Sequence, residues 1–130
     1  AASDVYKRQL MLFLNMSYHK IQFFFYLFLI LIGSSIPGKS VPTVFAFTWD
    51  KLLHVIEYFF LGILGYRAYR NSYKYITIMI SMFGIIFGCI DEMWQSLIPG
   101  RNPSYYDVIA DGIGVILGVI TIPMIKKQFK

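Results

Sequence analysis

Four apolar stretches, each close to twenty residues long, take up most of the chain. They cover about 21–36, 45–66, 73–97 and 105–125. Pro37-Gly38 stops the first, Pro99-Gly100 stops the third, and Lys126-Lys127 follows the fourth. A helix needs about 20 apolar residues to cross the roughly 30 Å hydrocarbon core of a bilayer. Composition points the same way. Of 130 residues 57% are hydrophobic and 15% charged, whereas a soluble domain carries about 25% charged residues. Mean hydropathy is +0.58. A chain this short and apolar has too little polar surface to coat a soluble globule. The expected fold is therefore all-α, an integral membrane four-helix bundle with helices at about 18–36, 45–68, 73–97 and 105–126. The first stretch ends without a clear small-x-small cleavage site, so it is expected to be a retained helix rather than a signal peptide. The single cysteine, Cys89, lies inside an apolar run and offers neither a disulfide framework nor a Cys-based metal site.

The segment Asp4-Val5-Tyr6-Lys7-Arg8-Gln9 reads as translated sequencing-library adapter. Residues 1–15 are accordingly expected to be adapter-derived or disordered, with a start at Met11 or Met16 and a single transmembrane domain over 16–130. Without the first nine residues, ten basic and six acidic side chains remain.

The basic residues set an orientation. Lys20 precedes the first helix, Arg67, Arg70 and Lys74 flank the turn between the second and third, and Lys126, Lys127 and Lys130 end the chain. The other two loops hold Lys39, Lys51 and Arg101. This asymmetry places both termini and the middle turn in the cytoplasm. Topology and anionic lipid then account for the surplus positive charge, and no nucleic-acid module is recognisable.

In that orientation the six remaining acids, Asp50, Glu57, Asp91, Glu92, Asp107 and Asp111, all fall in the outer parts of the second, third and fourth helices. Ionisable groups inside membrane helices are costly and face the bundle interior or a wet cavity. Asp50, His54 and Glu57 follow an i, i+4, i+7 pattern, so they share one face. Gln95 lies four residues after Asp91 and three after Glu92, and Asp107 and Asp111 are four apart. Three polar stripes meeting in the outer leaflet would form a pocket, closed from above by Arg101. Asp91 and Glu92 point about 100° apart, so different roles are expected, one of them pairing with Arg101 or Lys51. Asp107 and Ser104 compete for the N-cap of the fourth helix. Gly84 and Gly88, Gly114 and Gly118, and Gly62 and Gly65 have the small-residue spacing that lets helix backbones approach. Trp49, Trp94, Tyr105 and Tyr106 fit an outer aromatic belt.

Three of these segments carry a family resemblance. The run Asp50-Lys51-Leu52-Leu53-His54-Val55-Ile56-Glu57-Tyr58 resembles the second-helix motif of the VanZ-like family. Asp91-Glu92-Met93-Trp94-Gln95, running into Ile98-Pro99-Gly100-Arg101, is similar to its third-helix motif. Pro103-Ser104 through Asp107-Val108-Ile109-Ala110-Asp111, then Gly112, Gly114 and Gly118, is similar to its fourth. The three motifs in order span 34–118. One departure is Asp111, where Asn is common in the family. The resemblance implies a multi-pass protein of the bacterial cell membrane, in a family named for resistance to the lipoglycopeptide teicoplanin. It implies no particular reaction.

Three function classes stay open. The first is a site facing the extracytoplasmic side that binds an amphiphilic envelope ligand, its headgroup on Asp50, His54, Glu57, Asp91, Glu92, Gln95, Arg101, Asp107 and Asp111 and its tail among membrane lipid. The second is a membrane hydrolase or transferase acting on lipid headgroups, with His54, Glu57, Asp91, Glu92 and Asp107 as the acid–base candidates. Clustered carboxylates with a His allow a divalent cation there, although no dedicated metal-ligand motif is present. The third is a structural bundle whose polar residues only join helices. The cluster does not continue to the inner leaflet, which disfavours a transporter.

Overall fold

The computed structural model describes residues 1–41, 43 and 48–129. Four α-helices carry the fold: α1 (Ala2–Ser34), α2 (Thr48–Tyr69), α3 (Ile76–Gln95) and α4 (Tyr105–Gln128), with a short 3-10 turn, Gly38–Ser40, after α1. No strand occurs among the described residues. The expected all-α four-helix bundle is what forms.

The helix bounds differ from expectation in instructive ways. α1 starts at Ala2 rather than near residue 18. Residues 1–15 are exposed along their whole length, so packing does not make them helical. Their own composition does: Leu, Met, Lys, Arg and Gln are strong helix formers, and neither Gly nor Pro interrupts them before Gly33. α3 starts at Ile76, after the turn residues Asn71-Ser72, and ends at Gln95. The expected start of α2 at 45–47 lies outside the described residues. α1, α3 and α4 are each long and apolar enough to cross a membrane. α2 has the length, since 22 residues span about 33 Å, but its charged side chains lower its hydropathy. The bundle accommodates them by placing α2 against all three other helices.

Neighbouring helices run up and down. Tyr26 Oη donates to Glu57 O at 2.9 Å and Phe23 packs edge-on against Tyr69, so α1 and α2 are antiparallel. His54 meets Asp111, and Lys51 meets Asp107, so α2 and α4 are parallel. α2 packs most extensively on α4, and small residues permit the approach. A Cβ added at Gly62 would lie 2.8 Å from Val119 N, and one at Gly114 would lie 3.1 Å from Phe59 N. A Cβ at Gly118 would run into the backbone of Phe59. The sequence reading of Gly62, Gly114 and Gly118 as close-approach positions is thereby borne out. Gly84 and Gly88 do the same for α3, against Val115 and Asp111 of α4.

Burial is inverted relative to a water-soluble protein. The apolar core is small: Phe23, Leu27, Ile30, Tyr58, Leu61, Ala68, Ile76, Ile80, Val115 and Val119. Large apolar side chains cover the outside of all four helices, among them Phe24, Phe28, Ile56, Phe60, Met82, Ile86, Ile113 and Leu117. The charged residues Asp91, Glu92, Asp107 and Asp111 are buried. An apolar exterior around a polar interior suits lipid as solvent. Trp49, Trp94, Tyr105 and Tyr106 are exposed near the polar end, as an aromatic belt requires.

The loops at that end also pack together. Gly38 N donates to Pro99 O at 2.9 Å, and Gly100 adopts φ +77°, a conformation glycine reaches at no steric cost. Gly118→Ala should destabilise the purified protein by about 1–3 kcal/mol, the usual cost of overpacking, measured by thermal unfolding in detergent. Gly33→Ala, which meets nothing within 4 Å, should be neutral or slightly stabilising. Equal effects at the two positions would contradict the close α2–α4 approach.

Candidate functional site

The acids expected to converge do so, with one partial exception. On α2, Asp50, Lys51 and His54 lie within the first two turns and face α4. Asp111 of α4 is fully buried, and its Oδ1 sits 2.8 Å from His54 Nδ1. One turn earlier, Asp107 (2% exposed) pairs with Lys51 Nζ. Lys51 also reaches Asp50 Oδ2 at 3.5 Å. His54 Nε2, on the other edge of the ring, faces Asp50 Oδ1 and Glu92 Oε1, each at 3.9 Å. The exception is Glu57. It is half-buried one turn deeper, and the described hydrogen bonds include none of its carboxylate. His54 pairs across the helices with Asp111 rather than with Glu57 on its own face of α2.

α3 supplies the second half. Asp91 Oδ2 accepts from Ser34 Oγ at 2.8 Å and from Gln95 Nε2 at 3.3 Å. Gln95 Nε2 also lies 3.3 Å from Ser34 Oγ. Glu92 turns the other way, toward α4, and its Oε2 accepts from Ser104 N at 3.2 Å. The divergence of these two acids is thus as the 100° step requires, Asp91 toward α1 and Glu92 toward His54. Their partners differ from those expected. Neither pairs with Arg101 or Lys51, because Lys51 is drawn to Asp107 and Asp50, and Arg101 Nη2 donates to Gly33 O at 3.1 Å. That carbonyl belongs to the last turn of α1, where free carbonyls and the helix dipole favour a cation. Arg101 thereby ties the third loop over the end of α1. Ser104, not Asp107, caps α4, its Oγ accepting from Tyr106 N at 3.2 Å.

Several buried polar atoms have no partner among the described residues: Asp91 Oδ1, Glu92 Oε1, Asp111 Oδ2, Tyr58 Oη and Arg101 Nε. Three of the five are carboxylate oxygens. An unpaired buried charge is expensive, so this end of the bundle holds unused capacity to bind protons, donors or cations. Two triads bring ligand-type atoms within 4.8 Å of one another: Asp50, His54 and Asp107, and His54, Glu92 and Asp111.

Beside the polar centre lies an apolar groove of about 630 Å³ between α1 and α3. Phe28, Leu31, Ile32, Ile36, Ile90 and Trp94 are among its lining residues. Ser35 lines it too, accepting from Trp94 Nε1 at 2.8 Å. Its neighbour Ser34 is the residue bonded to Asp91, so the end of α1 borders both the groove and the polar centre. The sequence reading missed Ser34, Ser35 and the groove, and it named Lys51 as a partner for an acid of the third helix rather than for Asp107. The one available signal was the polar pair Ser34-Ser35 ending an otherwise apolar run.

Fold and site together define a polytopic membrane bundle with a buried polar centre at one end. A family model described as VanZ/LLP1 matches residues 5–126, and the chain belongs to that family. It is a VanZ-like membrane protein. Neither the curated proteins nor the solved structures yield a match.

The His54–Asp111 contact should be energetically coupled. A double-mutant cycle with His54→Gln and Asp111→Ala should give an interaction of about 1 kcal/mol, in the range of interhelical hydrogen bonds in membranes. The more exposed Asp50–Lys51 pair should give under about 0.5 kcal/mol. Strict additivity of the His54 and Asp111 changes in unfolding measurements would remove that contact from the site.

Proposed function

We propose that the protein binds an amphiphilic ligand of the cell envelope at the extracytoplasmic face of the cell membrane. The headgroup docks on the polar centre of Asp50, His54, Asp91, Glu92 and Asp107. The acyl chain lies in the groove between α1 and α3. The observation that carries this reading is an adjacency at the end of α1. Ser35 lines an apolar groove, and its neighbour Ser34 bonds Asp91, a buried carboxylate with one oxygen left free. An amphiphile needs those two environments side by side, and lipid-facing grooves that hold a tail cost little desolvation.

Charge distribution supports the orientation. Arg67, Arg70, Lys74, Lys126 and Lys127 lie at the end of the bundle opposite the acids, so retention of basic loops in the cytoplasm leaves the polar centre outside and both termini inside. A role in resistance to an acylated glycopeptide is compatible with this chemistry, since such a molecule carries a polar peptide and a fatty acyl chain. A second reading, hydrolysis or transfer at a lipid headgroup, draws on the buried His54–Asp111 pair. Asp111 orients the imidazole and leaves Nε2 available to take a proton.

Teicoplanin is a suitable probe for the binding reading. The protein in nanodiscs should bind it at least tenfold more tightly than a glycopeptide without an acyl chain. Ile90→Trp, which fills the groove, should abolish that preference. Asp91→Asn should weaken binding of both. Equal affinity for the acylated and non-acylated compounds would rule out the groove as the tail site.

A further inference from the structure

Within the polar centre, His54 Nε2 and Glu92 Oε1 face each other at 3.9 Å without bonding. Asp111 Oδ1 holds His54 Nδ1 at 2.8 Å. A neutral imidazole held this way carries its proton on Nδ1 and presents the Nε2 lone pair on the opposite edge. A carboxylate behind the ring is the arrangement that orients metal-binding histidines. Nε2 then faces Glu92 Oε1 and Asp50 Oδ1, both at 3.9 Å. That distance is too long for a hydrogen bond. Two bonds of about 2.1 Å from one first-row metal ion, end to end, reach about 4.2 Å, so a single ion spans such a gap with a bent geometry.

The carboxylate state points the same way. Glu92 is 6% exposed, its Oε2 is fixed by Ser104 N, and its Oε1 is aimed at His54 without a partner. Asp111 is fully buried with Oδ2 unpartnered. One helix-borne cation, Lys51, is nearby, and it is committed to Asp107 and Asp50 at the mouth. Four carboxylates from α2, α3 and α4 therefore surround one imidazole and one ammonium. A divalent ion would satisfy the free oxygen of Glu92 and offset the excess negative charge.

We infer that His54 Nε2 and Glu92 Oε1 anchor a site for a first-row divalent cation, with Asp111 positioning the imidazole and the Lys51 ammonium opposing the ion's charge from beside it. One imidazole with carboxylates favours Zn²⁺ or Mn²⁺ over Mg²⁺ or Ca²⁺, which prefer all-oxygen ligands. The ion would act as a Lewis acid toward a phosphate or carboxylate headgroup. The inference stands on the His54 geometry alone and does not depend on the amphiphile reading.

The test is calorimetric titration of the full chain, purified in detergent without a histidine tag and treated with chelator, with Zn²⁺, Mn²⁺ and Mg²⁺ separately. Expected is one equivalent of Zn²⁺ or Mn²⁺ per chain, bound at least tenfold more tightly than Mg²⁺, with a metal-dependent rise in melting temperature. Glu92→Gln should weaken binding at least tenfold. Lys51→Met should tighten it threefold or more by removing a positive charge beside the ion, a gain that a merely structural lysine would not produce. Lys51→Met also keeps the test decisive should Glu92→Gln fail to fold. No saturable binding to the wild-type chain would overturn the site, as would unaltered affinity in Lys51→Met. Teicoplanin binding that persists in chelator would leave the amphiphile reading intact even then.

Discussion

The close approach of α2 and α4 is the contact on which the rest of the structure depends. Gly62 on α2 and Gly114 and Gly118 on α4 leave no room for side chains between the two backbones. In lipid there is no hydrophobic drive to press helices together, so backbone proximity and the packing it allows must hold the pair. The two helices run parallel, and the glycine register sets their relative height. That height brings His54 level with Asp111 and Lys51 level with Asp107. A bulky residue at Gly118 would separate the helices, and every polar contact above it would lengthen together. The glycine seam and the polar centre are two ends of one interface.

Around that interface the other helices have narrower tasks. α3 packs Gly84 and Gly88 onto α4 and delivers Asp91 and Glu92 in divergent directions. α1 contributes Phe23, Leu27 and Ile30 to the core and closes the polar end with Ser34. The loops finish the enclosure. Gly38 meets Pro99, and Arg101 reaches back to the end of α1. Ionisable groups in a low-dielectric interior remain only where partners and function retain them. Here the cationic partners are fewer than the acids, which distinguishes the centre from a set of matched structural pairs.

Much of this was legible beforehand. Apolar runs of about twenty residues, broken by Pro37-Gly38 and Pro99-Gly100, require helices that cross a bilayer. The spacing of Asp50 with His54, of Asp91 and Glu92 with Gln95, and of Asp107 with Asp111 places polar groups on shared faces. Helical periodicity also separates Asp91 from Glu92, and the structure keeps them separate. The family motifs pointed to the same helices, and the match over residues 5–126 bears that out. The start of α1 was less legible, because helix propensity continues upstream of the apolar run and nothing packs there to mark a boundary.

The residues alone therefore decide the solvent, the number of helices, the end at which charge collects and the faces that carry it. They do so because helical periodicity and the cost of burying charge in lipid act locally along the chain. Partner choice was left to the tertiary structure. His54 takes Asp111 rather than Glu57, Lys51 takes Asp107 rather than an acid of α3, and Arg101 takes a helix-end carbonyl rather than a carboxylate. Each choice depends on the height and rotation of one helix against another, and these are set by glycine contacts between segments more than fifty residues apart. The groove beside Ser34 and Ser35 arises in the same way, from where α1 and α3 part.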